Sequence, residues 1–433
     1  MTIRTVEMAQ HVGERVVLHG WLHHVRKLGG VSFVLLRDGW GIVQIVAMHA
    51  RELAPLSQLA QGSILQVEGV VVTEKQAVSG VELHSPTFTV LESIEAQPPL
   101  TLHKRSIKAA LPTILNHAVV ANRHPERQAT FRLAAGVMAG FRETLNARHF
   151  TEVQTPKLVE AATEGGANVF GVDYFGRKAY LAQSPQFYKQ IMVGVFERVY
   201  EVGPVFRAEP HNTSRHIAEY VSLDVEFGFI ENHFTVMAMV EQVMRGIFAV
   251  LGERYSAEIT RLNVNMPTIP AEGIPHLHFT EAQQLLWERY TVDLRNETDL
   301  SPEGERLLGR WALETHGSDL LFVTGYPMSK RPFYTHPDPA RPAYSNSFDL
   351  LFRGLELITG GQRLHQYEQY QAALEAEGLP EQPFETYLEA FKHGMPRHGG
   401  FAIGLERLLV QLLEKPNIRL TTLFPRDIGR LSP

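Results

Sequence analysis

The chain has 433 residues, of which 44% are hydrophobic and 20% charged, the balance of a folded globular protein with material for two or three domains. It contains no cysteine, which excludes disulfides, thiolate catalysis and cysteine-ligated zinc. The net charge of -6 argues weakly against a nucleic-acid partner, no apolar run approaches the roughly 20 residues of a membrane span, and the start MTIRTVEMAQHVGER lacks the apolar core of a signal peptide, so a cytoplasmic protein with no membrane partner is expected.

Residues 14 to 95 read as a small β-domain. The runs ERVVLHGWLHHVR, VSFVLLRD, GIVQIVAM, SILQVEGVVV and VELHSPTFTVLE are rich in β-branched residues, and Gly-Gly, Asp-Gly and Ser-Gly turns punctuate them. About five strands in about 80 residues suit a small closed β-barrel of the OB type. The Pro-rich stretch EAQPPLTL marks a boundary, giving an N-terminal domain over 1–98 and a linker over 99–126. From Thr101 to Arg132 six basic residues accompany one acid, Glu126, a local net charge of +5. A solvated linker and a nucleic-acid contact both fit that charge.

The second domain, 127–433, opens with a helix over 127–149, where Phe131, Val137, Phe141 and Leu145 recur at helical spacing. FTEVQTPKLV reads as a strand ended by Pro156. Strands follow at AYLAQ, RVYEVGPVFRAE and VSLDVEFGFI, with a helix near 186–196. Residues 233–252 and most of 279–316 read as helical. Strands return at DLLFVTGYP, SNSFDLLFRGLELITGG and GGFAIG, the last running into the helix LERLLVQLLE. Strand runs interleaved with separate helices imply an α+β architecture, an antiparallel sheet flanked by helices.

Ionisable residues interrupt these strands in a pattern. Alternation places Glu201, Arg207 and Glu209 on one face of VYEVGPVFRAE, and Ser222, Asp224 and Glu226 on one face of VSLDVEFGF. A solvent-facing sheet would account for them; mixed signs on one face also suit a zwitterionic substrate that bears a polyphosphate. In QSPQFYKQ, Gln186 and Lys189 stand one helical turn apart. In FRGLELITGGQR, Glu356 and Thr359 precede Gly-Gly and Arg363, and carboxylate and hydroxyl oxygens of this kind suit Mg²⁺. The glycines of GGFAIGLERL let a ligand approach the backbone, and Arg407 lies on the first turn of the helix that follows.

FTEVQTPKL, VYEVGPVFRAE and GGFAIGLERL resemble, in order and spacing, the three signature motifs of class II aminoacyl-tRNA synthetases. ATEGGA, AQSPQFYKQ, FRAEPHNTSRH, RPFY, ITGGQR and the terminal LFPRDIGRLSP narrow the resemblance to aspartyl-tRNA synthetases. The chain has no room for the large insertion of the bacterial-type enzymes and is similar to the compact archaeal type. The resemblance implies ATP-dependent activation of L-aspartate to aspartyl-adenylate, with Mg²⁺, and transfer to the 3'-end of tRNA(Asp). Arg207 would hold the α-phosphate and stabilise the transition state, with Arg407 as the second catalytic cation. Glu209 would contact adenine, His216 and Arg407 would flank its ring, and Arg215 would bind phosphate. Glu356 and Thr359 would hold Mg²⁺, with threonine standing where the family often has serine. Glu164, Gln186, Asp224 and Thr359 belong to the implied aspartate site. Lys189 and Arg363 would bind the side-chain carboxylate.

GWLHHVRKLGGVSFVLLRDGWGIVQ is similar to the family's anticodon-binding surface, so Phe33 would stack on an anticodon base while Arg26 and Gln44 contact base edges and backbone. In the family, relatives specific for tRNA(Asp) carry tryptophan where His23 stands and a lysine near Val78. Nondiscriminating relatives carry histidine and usually proline there. The histidine implies an enzyme that also charges tRNA(Asn), whose product a tRNA-dependent amidotransferase would convert; the valine departs from that pattern and leaves a strictly tRNA(Asp)-specific enzyme as the alternative. An asparaginyl-tRNA synthetase is a further alternative, disfavoured because a neutral amide against Lys189 and Arg363 would leave cationic donors unpaired at about 2–5 kcal/mol. A non-catalytic RNA-binding relative would lack residues such as Arg207, Glu209, Glu356 and Arg407, and a relative that makes free asparagine would lack the N-terminal barrel. The family also implies a homodimer formed through the helix and strand before Pro156, where the 131–145 stripe lies.

Overall fold

A computed structural model describes residues 1–77, 79–94, 96–160 and 168–433. The chain divides into two compact units, Met1–Arg127 and Gln128–Pro433.

The first unit contains β1 (Thr2–Ile3), β2 (Arg15–Leu28), β3 (Val31–Arg37), β4 (Ile42–Ala47), β5 (Ile64–Thr73) and β6 (Val81–Glu92). Its five long strands are the five expected. Pairing runs β2-β3-β4-β6-β5 and returns from β5 to β2, with β4–β6 parallel and the other pairs antiparallel. Every second residue turns inward: Val16 and Leu18 of β2, Val34 and Leu36 of β3, and Val43 and Ile45 of β4 fill one apolar core. The register shifts between Leu22 and His24, so His23 is the extra residue of a β-bulge. The stretch expected as a linker carries two short helices, α1 (Leu111–Asn116) and α2 (Ala118–Ala121).

In the second unit α3 (Pro125–Asn146) leads to β7 (Thr151–Glu152) and β8 (Leu158–Val159), then β9 (Gly171–Tyr174), β10 (Arg177–Leu181), α4 (Gln186–Phe196), β11 (Arg198–Phe206) and β12 (Glu219–Gly228). Next come α5 (His233–Arg254), α6 (Ser256–Leu262), β13 (His276–His278), α7 (Phe279–Tyr290), α8 (Pro302–His316) and β14 (Leu320–Thr324). The chain ends with β15 (Ser347–Phe352), β16 (Leu355–Gln362), α9 (Tyr367–Ala376), α10 (Glu385–Lys392), β17 (His398–Gly404) and α11 (Leu405–Leu412). The main sheet has the order β13-β14-β15-β16-β17-β12-β11-β7, antiparallel except at its two outermost pairs, β13–β14 and β11–β7. Helices α3, α5 and α11 pack their apolar residues on one face of it.

Four expectations need correction. The strand foreseen through Pro156 is only the two residues of β7; Val153 adds one bond to Tyr200, and the chain then leaves the sheet. β11 stops at Phe206, so Arg207 and Glu209 follow the strand and its alternation does not place them. The α3 stripe is not available to a second subunit, because Val137, Phe141 and Leu145 are fully buried in this unit's own core. Finally, α5 is long and apolar enough to cross a membrane, with a mean hydropathy of 1.5, but more than half of that window is buried, and Val236, Val240 and Val243 belong to the core.

Candidate active site

A cavity of about 400 Å³ opens on the sheet face opposite α5. Its floor is Ser222 of β12, Thr359 and Gly360 of β16 and Ala402 and Gly404 of β17, three strands in register: Asp224 and Thr359 each pair with Ala402, and Glu226 pairs with Gly400. Small residues on the middle strand leave the flanking polar side chains room to turn inward. A Cβ at Gly400 would collide with the Glu226 carboxylate and the Val225 carbonyl, so glycine is required there. Gln186 and Lys189 enter from the first turn of α4, and Arg207, Glu209, Arg215 and His216 from the β11–β12 connection. Glu356, Thr359 and Arg363 enter from β16 and the residue after it, and Arg407 from the first turn of α11. The cavity thus gathers ten of the residues singled out in the sequence. Asp224 sits behind it, bonded to Lys189, and Glu164 lies outside the described residues.

At one end of the cavity four charged groups interlock. Lys189 Nζ lies 3.1 Å from Asp224 Oδ1 and 3.4 Å from Glu226 Oε2. Arg363 donates Nε to Glu226 Oε1 at 3.0 Å and Nη2 to the Gly400 carbonyl at 3.2 Å. Ser222 donates to Asp224 Oδ2 at 2.5 Å. All are buried. Burial alone would raise the Glu226 carboxyl; the charges of Arg363 and Lys189 outweigh it and hold the group below its usual range. Burial likewise opposes the charged form of Arg363, and Glu226 overturns that, raising its pKa. The Gln186 Nε2 is buried without a hydrogen-bond partner among the described residues, a donor suited to a bound carboxylate.

At the other end the side chains are more open. His216 Nε2 is 3.4 Å from Glu209 Oε2, Arg207 Nη1 is 3.8 Å from Glu209 Oε1, and Thr213 Oγ1 is 2.6 Å from His216 Nδ1. Burial lowers the His216 pKa; Glu209 opposes this and Arg407 adds to it. Arg407 Nη1 reaches both the carboxylate and the carbonyl oxygen of Glu356 at 3.4 Å.

Glu356 and Thr359 stand three residues apart, a spacing that in a regular strand puts side chains on opposite faces. A register shift opposite Leu350 and Leu351 absorbs one residue, and Thr359 Oγ1 donates to Glu356 Oε1 at 3.3 Å. Asp349 pairs with Thr359 across β15, and Glu305 of α8 accepts the Glu356 amide at 3.4 Å. Burial and the neighbouring Glu356 push Glu305 up to about 7; Asp349, also buried and close to Glu356, is raised to about 6 although Arg331 bonds it at 3.0 Å. Among the described residues no three carboxylates or histidines come together as a metal-ligand group, but the adjoining Glu356 carboxylate and Thr359 hydroxyl are oxygen donors of the kind a hard divalent cation takes alongside phosphate and water.

Sequence reasoning placed Glu226 on the charged face without giving it a site role, and missed Asp349, Glu305 and Arg331. Arg331 stood in the quoted RPFY; nothing local marked Glu305. Glu201, expected beside Arg207, instead binds Lys157 at 2.6 Å and Thr155 at 2.7 Å and does not line the cavity.

In the first unit Arg26 pairs with Phe33 across β2 and β3, and Gln44 follows two pairs along, opposite Leu35. Arg26, Phe33 and Gln44 therefore share the face turned away from the core. Arg26 is exposed, Phe33 is half-buried, and Gln44 donates to Glu82 at 2.9 Å. His23 is separate from them. It lines a smaller cavity of about 180 Å³ with Trp21, Arg37 and Gln61, and burial, with Arg37 and three nearby histidines, lowers its pKa to about 4. Val78 lies outside the described residues.

Residues 111–428 match the family model of class II tRNA synthetases (D, K and N), and residues 16–91 that of the OB-fold nucleic acid binding domain. An Aspartate--tRNA(Asp/Asn) ligase of Thermus thermophilus is 46% identical over 433 residues, covering all of both chains. One of the same name from Deinococcus radiodurans is 44% identical, covering 99% of this chain and 98% of that one. Among solved structures, the asparaginyl-tRNA synthetase of Pyrococcus horikoshii complexed with asparaginyl-adenylate superimposes with a TM-score of 0.91, at 28% identity and full coverage of both chains.

Proposed function

The chain belongs to the class II tRNA synthetases of the aspartate, lysine and asparagine group, and from that premise we propose that it is an aspartate--tRNA(Asp/Asn) ligase. It activates L-aspartate with ATP to aspartyl-adenylate and passes the aspartyl group to the 3'-end of tRNA(Asp) and tRNA(Asn). The observation that carries this reading is the buried Lys189–Glu226–Arg363 group at the closed end of a cavity whose open end is lined by arginines.

The α-carboxylate of aspartate is already a nucleophile, so the first step needs no general base. Holding that carboxylate in line with the α-phosphorus is most of the task. Gln186 and Asp224 orient the amino-acid backbone, with Glu164, and Lys189 and Arg363 face its side-chain carboxylate. Arg207 meets the α-phosphate where negative charge builds as pyrophosphate leaves. Arg215 and Arg407 meet the outer phosphates, while Glu209 and His216 meet adenine. Glu356 and Thr359, with Asp349, would hold Mg²⁺, which supplies charge neutralisation to the polyphosphate.

Asparagine is the second reading, since one structural neighbour carries asparaginyl-adenylate. The expected penalty for an amide is smaller than two unpaired cations would impose, because Asp224 and Glu226 already neutralise Lys189 and Arg363. Aspartate is preferred because relatives at 46% and 44% identity are named for it, against 28% for the asparaginyl structure.

The first unit is the anticodon-binding module. Its circuit of strand pairings supports a closed OB barrel over 1–98, with 99–126 as linker and 127–433 as catalytic domain. The remaining parts of the reading are a homodimer, a cytoplasmic location, and an amidotransferase acting on the Asp-tRNA(Asn) product. ATP–pyrophosphate exchange tests the activation step: exchange should depend on aspartate. Exchange supported by asparagine and not by aspartate would overturn the reading.

A further inference from the structure

A second cavity in the catalytic unit, of about 580 Å³, is built from residues that take no part in the site above. It lies where α5 begins, beside the ends of β14 and β16 and the segment around His336. Four histidines line it: His233, His278, His336 and His365.

Three of their ring nitrogens, His233 Nδ1, His278 Nε2 and His365 Nδ1, are buried and have no hydrogen-bond partner among the described residues. His233 itself is only 9% exposed. Such groups are costly to leave unpaired, by about 1–3 kcal/mol each, so several in one cavity point to a missing partner. The tautomer of His278 follows from its neighbours. Its Nδ1 accepts the Thr280 amide at 3.2 Å, which leaves its proton on Nε2. That Nε2–H is therefore a donor without an acceptor, and Gly325 leaves the ring its space. His278 is also held neutral, by burial first and by Arg341 second.

The other groups share that polarity. Helix α5 runs for 22 residues, and its positive end, capped by Asn232, opens on the cavity. The Arg397 guanidinium lines the cavity with no hydrogen bond or ion pair among the described residues, and its charge reaches His336 and His365. The carboxylate of Asp338 is already engaged by the Ala340 amide at 2.9 Å and by Arg341 at 3.3 Å. The other carboxylate of the lining, Glu231, is exposed.

We propose that this cavity binds a small phosphate monoester, seated between the N-terminus of α5 and the Arg397 guanidinium, with His278 Nε2–H as a fixed donor. Three terminal phosphoryl oxygens match donors that converge from different elements. The volume leaves room for an organic group as well.

The test is isothermal titration of the full chain, with the catalytic cavity filled by a non-hydrolysable aspartyl-adenylate analogue. Glycerol 3-phosphate should saturate one site per chain. Arg397→Ala, at an exposed position outside the catalytic cavity, should weaken binding about tenfold and leave pyrophosphate exchange unchanged, and His278→Phe should weaken it similarly. Dimethyl phosphate, the diester chemistry of a nucleic-acid backbone, should bind at least about tenfold more weakly. No saturable binding, or equal binding to wild type and Arg397→Ala, would overturn the proposal; equal binding of the diester would reassign the cavity to a nucleic-acid strand and overturn it as well.

Discussion

Arg363 and Glu226 meet in the buried end of the catalytic cavity, with the guanidinium Nε 3.0 Å from one carboxylate oxygen and Nη2 3.4 Å from the other. Neither group can be removed alone without stranding the other's charge. Arg363→Met should lower stability by about 3–5 kcal/mol, because Glu226 keeps only Lys189. Adding Glu226→Gln should restore at least half of that loss, since no stranded carboxylate remains. Urea denaturation of both variants measures the difference. A double variant no more stable than the single would show that packing, not charge, holds this site.

Lys189 joins the same group, 3.1 Å from Asp224. Lys189→Met should raise the KM for aspartate at least about tenfold, the equivalent of losing a charge-assisted contact of about 1.5–3 kcal/mol. The KM for ATP should stay within about twofold, because the arginines proposed to meet phosphate lie at the other end of the cavity. Equal effects on both substrates would remove Lys189 from the amino-acid pocket.

Much of this was legible in the sequence because period carries local structure. Residues 186–196 were read as a helix, and α4 has those limits. The five long strands of the first unit stood out because β-branched runs end at glycine turns. What was hidden is non-local. Glu226 was seen on a charged face, but its partner Arg363 is 137 residues away. Glu356 and Thr359 sat at a spacing that a regular strand would separate, and only a bulge unites them. The α3 stripe showed an apolar face without showing what covers it.

Glu406 gives the protein a pH-dependent weakness. Its carboxylate accepts the Val221 amide at 3.2 and 3.1 Å, and burial raises its pKa from 4.5 to about 7. The native state therefore holds a proton that the unfolded chain has released between those values. Stability contributed by that proton is present below the unfolded pKa and is lost as pH rises through the folded one. Between pH 5 and pH 8 the wild type should lose about 1–3 kcal/mol through this group. Glu406→Gln should flatten the profile by that amount. Unfolding curves across the range decide it, and parallel profiles for both proteins would exclude Glu406 as the source.

The proposed homodimer would need an apolar surface other than the buried stripe of α3. Phe229 is 75% exposed, and Val195 and Phe196 are exposed at the end of α4. The two segments are tied by the Gly228 amide bonded to the Glu197 carbonyl at 2.9 Å. Sedimentation at micromolar concentration should give a dimer, and Phe229→Asp should shift it toward monomer by desolvating a charge at the contact. A wild-type monomer under those conditions would dismiss the dimer; a Phe229→Asp dimer of unchanged strength would place the interface elsewhere.

The choice between tRNA(Asp) and tRNA(Asn) turns on a single anticodon letter, C or U. His23 sits at the bulge of β2, buried against Arg37 and held neutral, so it offers a small uncharged wall. Tryptophan there would fill part of the adjoining cavity of about 180 Å³ and replace the small ring with a bulky one. A small neutral wall discriminates poorly between C and U, so the wild type should aspartylate both transcripts within about 100-fold in kcat/KM, a difference below ~2.7 kcal/mol. His23→Trp combined with Val78→Lys, at a position outside the described residues, should weaken charging of tRNA(Asn) more than that of tRNA(Asp). Side-by-side aspartylation of the two transcripts by both proteins settles the matter. A wild-type preference above 100-fold for tRNA(Asp) would establish a strict enzyme, and a double variant that slows both tRNAs equally would place the choice in other contacts.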